Sequence, residues 1–346
     1  MEACARAMLL LNGFKTCSSF KIHAPNSSMP IEIRTGARLH FGPFSFRPEM
    51  GRHFGGIGLM ISQPGVHLRA RRLHDNDSTR NLPGRAGLLL KTMQAKNPDL
   101  RGPVQFEILE EIPSHSGLGS GTQLSLAILD GLMQLHDRSA TPKILIQQCG
   151  RGDRSAIGLN GYFDGGFLVD AGHHSDAPLG ELACRLTFPQ EWRILLLLPK
   201  DATGLHGSEE VAAFEALKPM PLSLTGQLCR LALTEILPAI QTRQFRLFTQ
   251  ALFEYGQRAG QFFAPSQGGV FSSPVIRHLL HQIPELAGCG MAQSSWGPAV
   301  ALFAENDVHA RELQQVILGR YDESALQTRI VAPLNSGRVC VLNTPE

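Results

Sequence analysis

Three glycines and three hydroxyls alternate through Ser116-Gly117-Leu118-Gly119-Ser120-Gly121-Thr122, just ahead of apolar residues at Leu124, Ala127, Ile128, Gly131 and Leu135. That spacing predicts a helix opened by the loop. Glycines let the backbone come close to a ligand, and a helix start offers unpaired N–H groups and the positive end of the macrodipole, so the chemistry suggested is phosphate binding. The plainer use of Ser120 or Thr122 is to cap the helix. His115 lies in the same loop. The pattern is neither a Walker loop, since no Gly-Lys-Ser/Thr follows, nor the dinucleotide G-x-G-x-x-G.

A second polar, glycine-studded stretch, Arg151 to Asp170, carries Asp153, Arg154, Asp164 and Asp170. A planar guanidinium engages a carboxylate or a phosphate bidentately, which makes Arg154 the first candidate clamp, with Arg38 and Arg52 next. The alternative for Arg154 is a structural ion pair with a neighbouring Asp. Asp153, Asp164 and Asp170 stand as equivalent candidates to accept a proton or steady a cation.

Other elements must position these groups. Ile31–Phe46 alternates apolar and polar residues and is broken at Gly36 and Gly42, predicting two short strands joined by a turn. A strand follows the Gly55–Gly56 cluster, another spans Val66–Ala70, and a helix runs over Thr79–Lys96 with an interruption near Pro83. Val104–Leu109 predicts the strand before the phosphate loop, and Thr141-Pro142 caps and opens the next helix. Residues 151–166 read as a loop feeding the strand Phe167–Val169. Trp192–Pro199 is too continuously apolar to be half-exposed. Helices are predicted over Ser208–Leu217, Thr225–Ile240, Arg243–Gln261, Ser273–Gln282 and Val308–Leu318, and strands over Cys289–Gln293, Ala299–Phe303, Ile330–Ala332 and Val339–Leu342. This order reads as α+β in two domains, with residues 30–188 as the first and 189–346 as the second. Met1–Met29 reads as a disordered leader, or as the consequence of an upstream start with Met29 the alternative.

Composition narrows the class. The 346 residues are 43% hydrophobic and 18% charged, enough apolar material for a sizeable core. A net charge of +2 gives no electrostatic footprint for nucleic acid, so a small substrate is expected. The apolar run Met8–Leu11 is too short to span a membrane. Seven scattered cysteines without C-x-x-C fit neither a disulfide framework nor a zinc site, and read as reduced thiols of a cytoplasmic protein.

The loop pattern P-x-x-x-G-L-G-S with its apolar helix resembles the phosphate loop of the GHMP superfamily, named for galactokinase, homoserine kinase, mevalonate kinase and phosphomevalonate kinase. Its kinases often carry Ser-Gly-x-Asp, whose Asp is the catalytic base, followed by a Gly-Gly pair. Ser155-Ala156-Ile157 and Gly165–Gly166 match these elements here, but Gly158 stands where the Asp would be. Five stretches together (TGARLHFG, GRHFGGIGLMI, IPSHSGLGSGTQL, GRGDRSAIG…FDGGFLVD and QSSWGP) resemble the β-ribofuranosylaminobenzene 5′-phosphate synthase family, non-kinase members of this fold.

The resemblance implies a two-domain GHMP-kinase-like fold with the site in the inter-domain cleft. It implies condensation of 4-aminobenzoate or 4-hydroxybenzoate with 5-phosphoribosyl 1-pyrophosphate, releasing carbon dioxide and pyrophosphate, in methanopterin biosynthesis. Mg²⁺ is the implied cofactor, held mainly by pyrophosphate oxygens, with protein ligands unknown. Residues 116–122 would hold phosphate, and Arg38, His40, Arg52, Gly55, Gly56, Ser155, Ser294 and Ser295 would contact substrate. A homodimer is compatible with this reading. The other reading is an ATP-dependent kinase of a small alcohol, using Asp153 or Asp164 as its base.

Overall fold

The protein is described by a computed structural model covering residues 30–73, 82–138, 140–177, 179–200, 212–213, 215–321 and 324–342. The expected leader, the start of the Thr79–Lys96 helix and half of the Ser208–Leu217 helix lie outside these residues. The architecture is α+β, built on two antiparallel sheets.

The first sheet has six strands: β1 (Ile31–His40), β2 (Gly56–Arg72), β3 (Val104–Glu110), β4 (Phe167–Asp170), β5 (Leu182–Leu186) and β10 (Val339–Leu342). Its order is β10-β1-β2-β4-β5, with β3 also paired to β2. The chain therefore returns at its end to the sheet in which it began. The second sheet runs β7 (Ala292–Gln293), β8 (Val300–Ala304), β6 (Arg193–Pro199) and β9 (Leu326–Val331).

The two short strands expected over residues 31–46 are one strand, followed by irregular chain. Gly36 is a bulge within it rather than a turn: pairing jumps from Thr35–Val66 to Ala37–Ile61, and a Cβ on Gly36 would lie 2.0 Å from the Ile61 carbonyl oxygen. The two expected β2 segments are likewise continuous.

Helix α2 (Ser120–Leu135) covers the first sheet, and helix α1 (Gly84–Lys96) packs on α2. Helix α2 buries Leu124, Leu126, Ala127, Ile128, Leu129 and Leu132 completely, so it is apolar nearly all round and runs through the core. Helix α3 (Pro142–Gln148) starts where Thr141 Oγ1 accepts from the Ile144 N–H. Helix α4 (Ile157–Asp164) replaces the loop expected there. Gly158 and Gly161 lower its intrinsic propensity, and burial of Ile157, Leu159 and Tyr162 overrides them. The stretch expected as one helix over Thr225–Ile240 is α5 (Leu222–Arg230), a π-helical turn (Leu231–Ile236) and α6 (Leu237–Gln241). Then come α7 (Phe245–Gln267), α8 (Pro274–Gln282) and α9 (Asp307–Leu318).

One apolar core joins the two sheets. Phe188 lies 5.3 Å from Trp192 and from Phe248, and Phe248 lies 5.0 Å from Phe303, between ring centroids. Strand β6 serves this core with Ile194 and Leu196 and a second cluster with Leu195 and Leu197. Its continuous apolar sequence thus reflects burial on both faces.

A buried polar knot ties α2 to the end of the chain. Asp130 is fully buried, and its carboxylate accepts from Gln134 Nε2 (2.7 Å), the Tyr162 hydroxyl (2.9 Å) and Arg338 Nε (2.9 Å). Removing one partner of a buried ion pair strands the other charge, so Asp130→Ala should cost about 3–5 kcal/mol of unfolding free energy. Tyr162→Phe loses one hydrogen bond and should cost about 1 kcal/mol. Urea titration of the two variants checks this, and equal losses would contradict it.

Candidate functional site

Three segments far apart in sequence meet at the loop before α2. The Gly117 carbonyl accepts from Arg38 Nη1 at 2.5 Å and from the Ser294 hydroxyl at 2.7 Å. Around it, the Arg38 N–H donates to Leu118 O (3.1 Å), the Ala299 N–H to Ser116 O (3.2 Å) and the Ser295 N–H to His40 O (2.7 Å). Ser294 Oγ also accepts from the His40 N–H at 3.1 Å. The end of β1, the 116–119 loop and the 294–299 turn are therefore laced by backbone bonds.

Two glycines are required by this lacing. Gly117 has φ +79°, and a Cβ there would sit 2.4 Å from Ser294 O and 2.8 Å from Gly297 O. Gly119 caps α2 in the left-handed region at φ +77°, with Arg38 Cγ 2.7 Å from where its Cβ would be. The helix start then faces a cavity of about 500 Å³.

The cavity gathers Gly117, Gly119, Ser120, Gly121 and Thr122 with Arg38, His40, Asp153, Arg154, Ser155 and Ser295. It also brings in Arg85 and Arg151, which no phosphate-loop reading singled out. Arg85 Nη1 donates to Ser120 Oγ at 3.2 Å, and its Nη2 pairs with Glu111 at 2.6 Å. Arg151 donates to Ser125 Oγ at 3.4 Å, and its guanidinium carbon is 3.5 Å from where a Cβ on Gly121 would be. Four arginines thus line the cavity against one carboxylate, Asp153, among the described residues. Such a wall suits a polyanion.

Several expected site residues hold the frame instead of lining the cavity. Leu118 is in the core, and Ser116 Oγ donates to Pro113 O at 2.7 Å. Arg52 pairs with Glu181 (2.7 Å) and donates to Gly172 O (2.9 Å). A Cβ on Gly55 would lie 2.8 Å from Asp170 O, and one on Gly56 would lie 2.3 Å from Gly42 O, so both permit chain crossings. Asp170 is 1% exposed; its carboxylate accepts from the Ala156 N–H (2.6 Å) and the Gly172 N–H (2.8 Å). Burial raises its pKa and those two bonds oppose the rise. Asp164 ends α4 on the exposed surface. Ser294 is fully buried and acts through Gly117 and His40.

Gly158, expected to stand where related kinases carry their base, sits beside the loop: a Cβ there would be 3.4 Å from Arg38 Cγ and from Thr122 Cγ2. The Gly158 carbonyl accepts from Gln123 Nε2 (2.8 Å), while Gln123 Oε1 accepts from the Thr35 hydroxyl (2.8 Å). A side chain at 158 would point toward the phosphate loop, and glycine supplies none. The Gly165–Gly166 pair is architectural, because a Cβ on Gly165 would lie 2.4 Å from Ser336 O and one on Gly166 would lie 2.6 Å from Leu186 O.

Comparison with known proteins agrees with the geometry. Residues 81–169 match the family model of the GHMP kinases N terminal domain. The β-ribofuranosylphenol 5′-phosphate synthase of Methanothermobacter thermautotrophicus is 31% identical over 289 residues, covering 78% of this chain and 87% of that one. Its namesake from Archaeoglobus fulgidus is 27% identical over 313 residues, covering 87% and 96%. Homoserine kinase from Cytophaga hutchinsonii superposes with a TM-score of 0.64 at 16% identity, over 90% of this chain and 97% of that one. Mevalonate diphosphate decarboxylase from Staphylococcus aureus gives 0.61 at 13% identity, over 92% and 100%. These two structures share the fold. No helix among the described residues is long and apolar enough to cross a membrane.

His40 is 6% exposed, and burial together with the neighbouring Arg38 charge lowers its pKa from 6.5 to about 3. The unfolded chain takes up this proton below pH about 6.5 and the folded chain refuses it until about 3, so stability falls as pH drops through that window. The limiting slope from this one group is about 1.4 kcal/mol per pH unit. Urea midpoints at pH 7.5 and 5.5 should therefore separate more in the wild type than in His40→Gln. Equal separations would assign the acid sensitivity elsewhere.

Proposed function

This chain belongs to the β-ribofuranosylphenol 5′-phosphate synthase family of the GHMP superfamily, and on that premise we propose that it joins a 4-substituted benzoate to 5-phosphoribosyl 1-pyrophosphate. The observation that carries this reading is the cavity's make-up: a glycine-rich helix start and four arginines, with glycine at position 158 where a phosphotransferase would need its base. The relatives' name ends in phenol, which favours 4-hydroxybenzoate over 4-aminobenzoate. The reaction is a step of methanopterin biosynthesis in the cytoplasm, in keeping with free thiols at Cys149, Cys184, Cys229, Cys289 and Cys340.

In this reading the bond from the anomeric carbon to the pyrophosphate oxygen breaks with its electron pair leaving on oxygen. The ring carbon that bears the carboxylate attacks the anomeric carbon. The carbon–carboxylate bond then returns its pair to the ring, carbon dioxide departs and aromaticity is restored. No proton leaves carbon, so a base at 158 is dispensable. The N–H groups at Gly119–Gly121, with Arg38, Arg85 and Arg151, meet the charge that grows on the pyrophosphate, where preorganised donors are most effective. Arg154 clamps the 5′-phosphate or the carboxylate, and because loss of carbon dioxide alone restores aromaticity, the ring substituent keeps its proton.

Among the described residues no cluster of three His, Cys, Asp or Glu side chains could cage a metal ion. That donor set fits Mg²⁺ arriving on the diphosphate and completed by water, with Asp153 and the Ser120 hydroxyl as the protein oxygens available in the cavity. Bound there, the cation would neutralise charge on the departing diphosphate.

Incubation with Mg²⁺, phosphoribosyl pyrophosphate and 4-hydroxybenzoate should yield carbon dioxide and pyrophosphate in equal amounts. Arg151→Ala should lower kcat/KM about a hundred- to a thousand-fold, the cost of a preorganised donor to developing charge. ATP with small alcohols should yield no phosphorylated product. Phosphorylation of an alcohol without carbon dioxide release would overturn the assignment in favour of a kinase.

A further inference from the structure

The cavity has two unlike walls. One, at the start of α2, carries the four arginines. The other, from α7 and the 293–297 turn, bears no charged side chain: Ala259, Phe263, Gln267, Gln293, Ser295 and Trp296 face the same space. The Phe263 and Trp296 rings meet edge-to-face, with centroids 4.9 Å apart at 68°. A wall of this kind favours a flat apolar ring.

The two glutamines are locked in orientation. Gln293 Nε2 donates to Gln267 Oε1 (3.1 Å) and to Ser295 O (3.1 Å), while its Oε1 accepts from the Ser272 N–H (2.7 Å). Gln267 Nε2 donates to Gly269 O and Val270 O, both at 2.9 Å. Both amide nitrogens are thus committed inside the protein. Each side-chain oxygen accepts one N–H and keeps a second lone-pair site. The pair offers a ligand acceptors rather than donors.

We propose that this uncharged wall is the seat of the aromatic ring, with Phe263 and Trp296 against its face and edge and the Gln267–Gln293 pair selecting a 4-substituent that donates a hydrogen bond. The inference rests on the synthase reading and deepens it by assigning the half of the cavity that phosphate does not need. It explains how 4-hydroxybenzoate and 4-aminobenzoate can share a site, since both substituents donate. A 4-methoxy group only accepts, and would set lone pair against lone pair.

Calorimetry on the unaltered protein with 4-hydroxybenzoate, 4-aminobenzoate and 4-methoxybenzoate tests the selection without requiring turnover. The first two should bind and the methoxy acid should bind at least about tenfold more weakly, the cost of one hydrogen bond lost with its partner left unpaired. The chain has two tryptophans, so Trp192→Phe makes Trp296 the sole reporter, and 4-hydroxybenzoate should quench its emission while adenosine does not. Gln293→Leu should abolish the hydroxy-over-methoxy preference. Equal binding of all three acids, or a silent Trp296 under saturating 4-hydroxybenzoate, would overturn the seat, as would an equal effect of adenosine. If carbon dioxide is still released in such a case, the synthase reading survives and the seat fails. If the acids bind selectively and no carbon dioxide appears, the seat survives and the reaction fails.

Discussion

The carbonyl oxygen of Gly117 is the point on which the site depends. It takes hydrogen bonds from Arg38 on β1 and from Ser294 on the turn before β8, segments separated by more than half the chain. With that oxygen held, residues 119–122 at the start of α2 line the cavity. The residues doing this are small because the chains nearly touch: a Cβ on Gly117 would collide with two backbone oxygens. A loop free in solution would pay the entropy of ordering when its ligand arrived, whereas this one is ordered by the fold.

The same fold serves kinases and decarboxylases among its structural neighbours, so chemistry must come from what is placed around the loop. Here the surroundings are four arginines, one carboxylate and an uncharged aromatic wall. Glycine at 158 leaves room beside Arg38 and Thr122. These surroundings suit the proposed departure of a polyanion next to a flat ring.

What could be read from the sequence was what local chemistry encodes. The phosphate loop, the helix behind it, the fully buried strand β6 and the 294–298 turn each carry their signal within a few residues. Arg85 carries none, because it reaches Ser120 from a separate helix and only the packing of α1 on α2 brings them together. Helix α4 is hidden by its glycines, of which Gly161 serves close packing against Met60 and Gly158 an approach to Arg38 and Thr122. Asp170 looked like a candidate for chemistry because a buried carboxylate that receives two backbone N–H groups and a carboxylate that takes a proton are the same letter in sequence. Gly165–Gly166 matches a family motif, yet its reason is the passage of residues 334–336 beside Gly165 and of Leu186 beside Gly166.

The central claim is that the lacing around Gly117, and not the loop alone, makes the anion site. Calorimetric binding of phosphoribosyl pyrophosphate to Ser294→Ala tests it directly, since Ser294 is fully buried and lies outside the residues that line the cavity. Losing its hydroxyl releases the Gly117 carbonyl and the His40 N–H, and the Kd should rise about tenfold, equivalent to about 1.4 kcal/mol of lost preorganisation. A folded Ser294→Ala protein that binds phosphoribosyl pyrophosphate as tightly as the wild type would contradict the account.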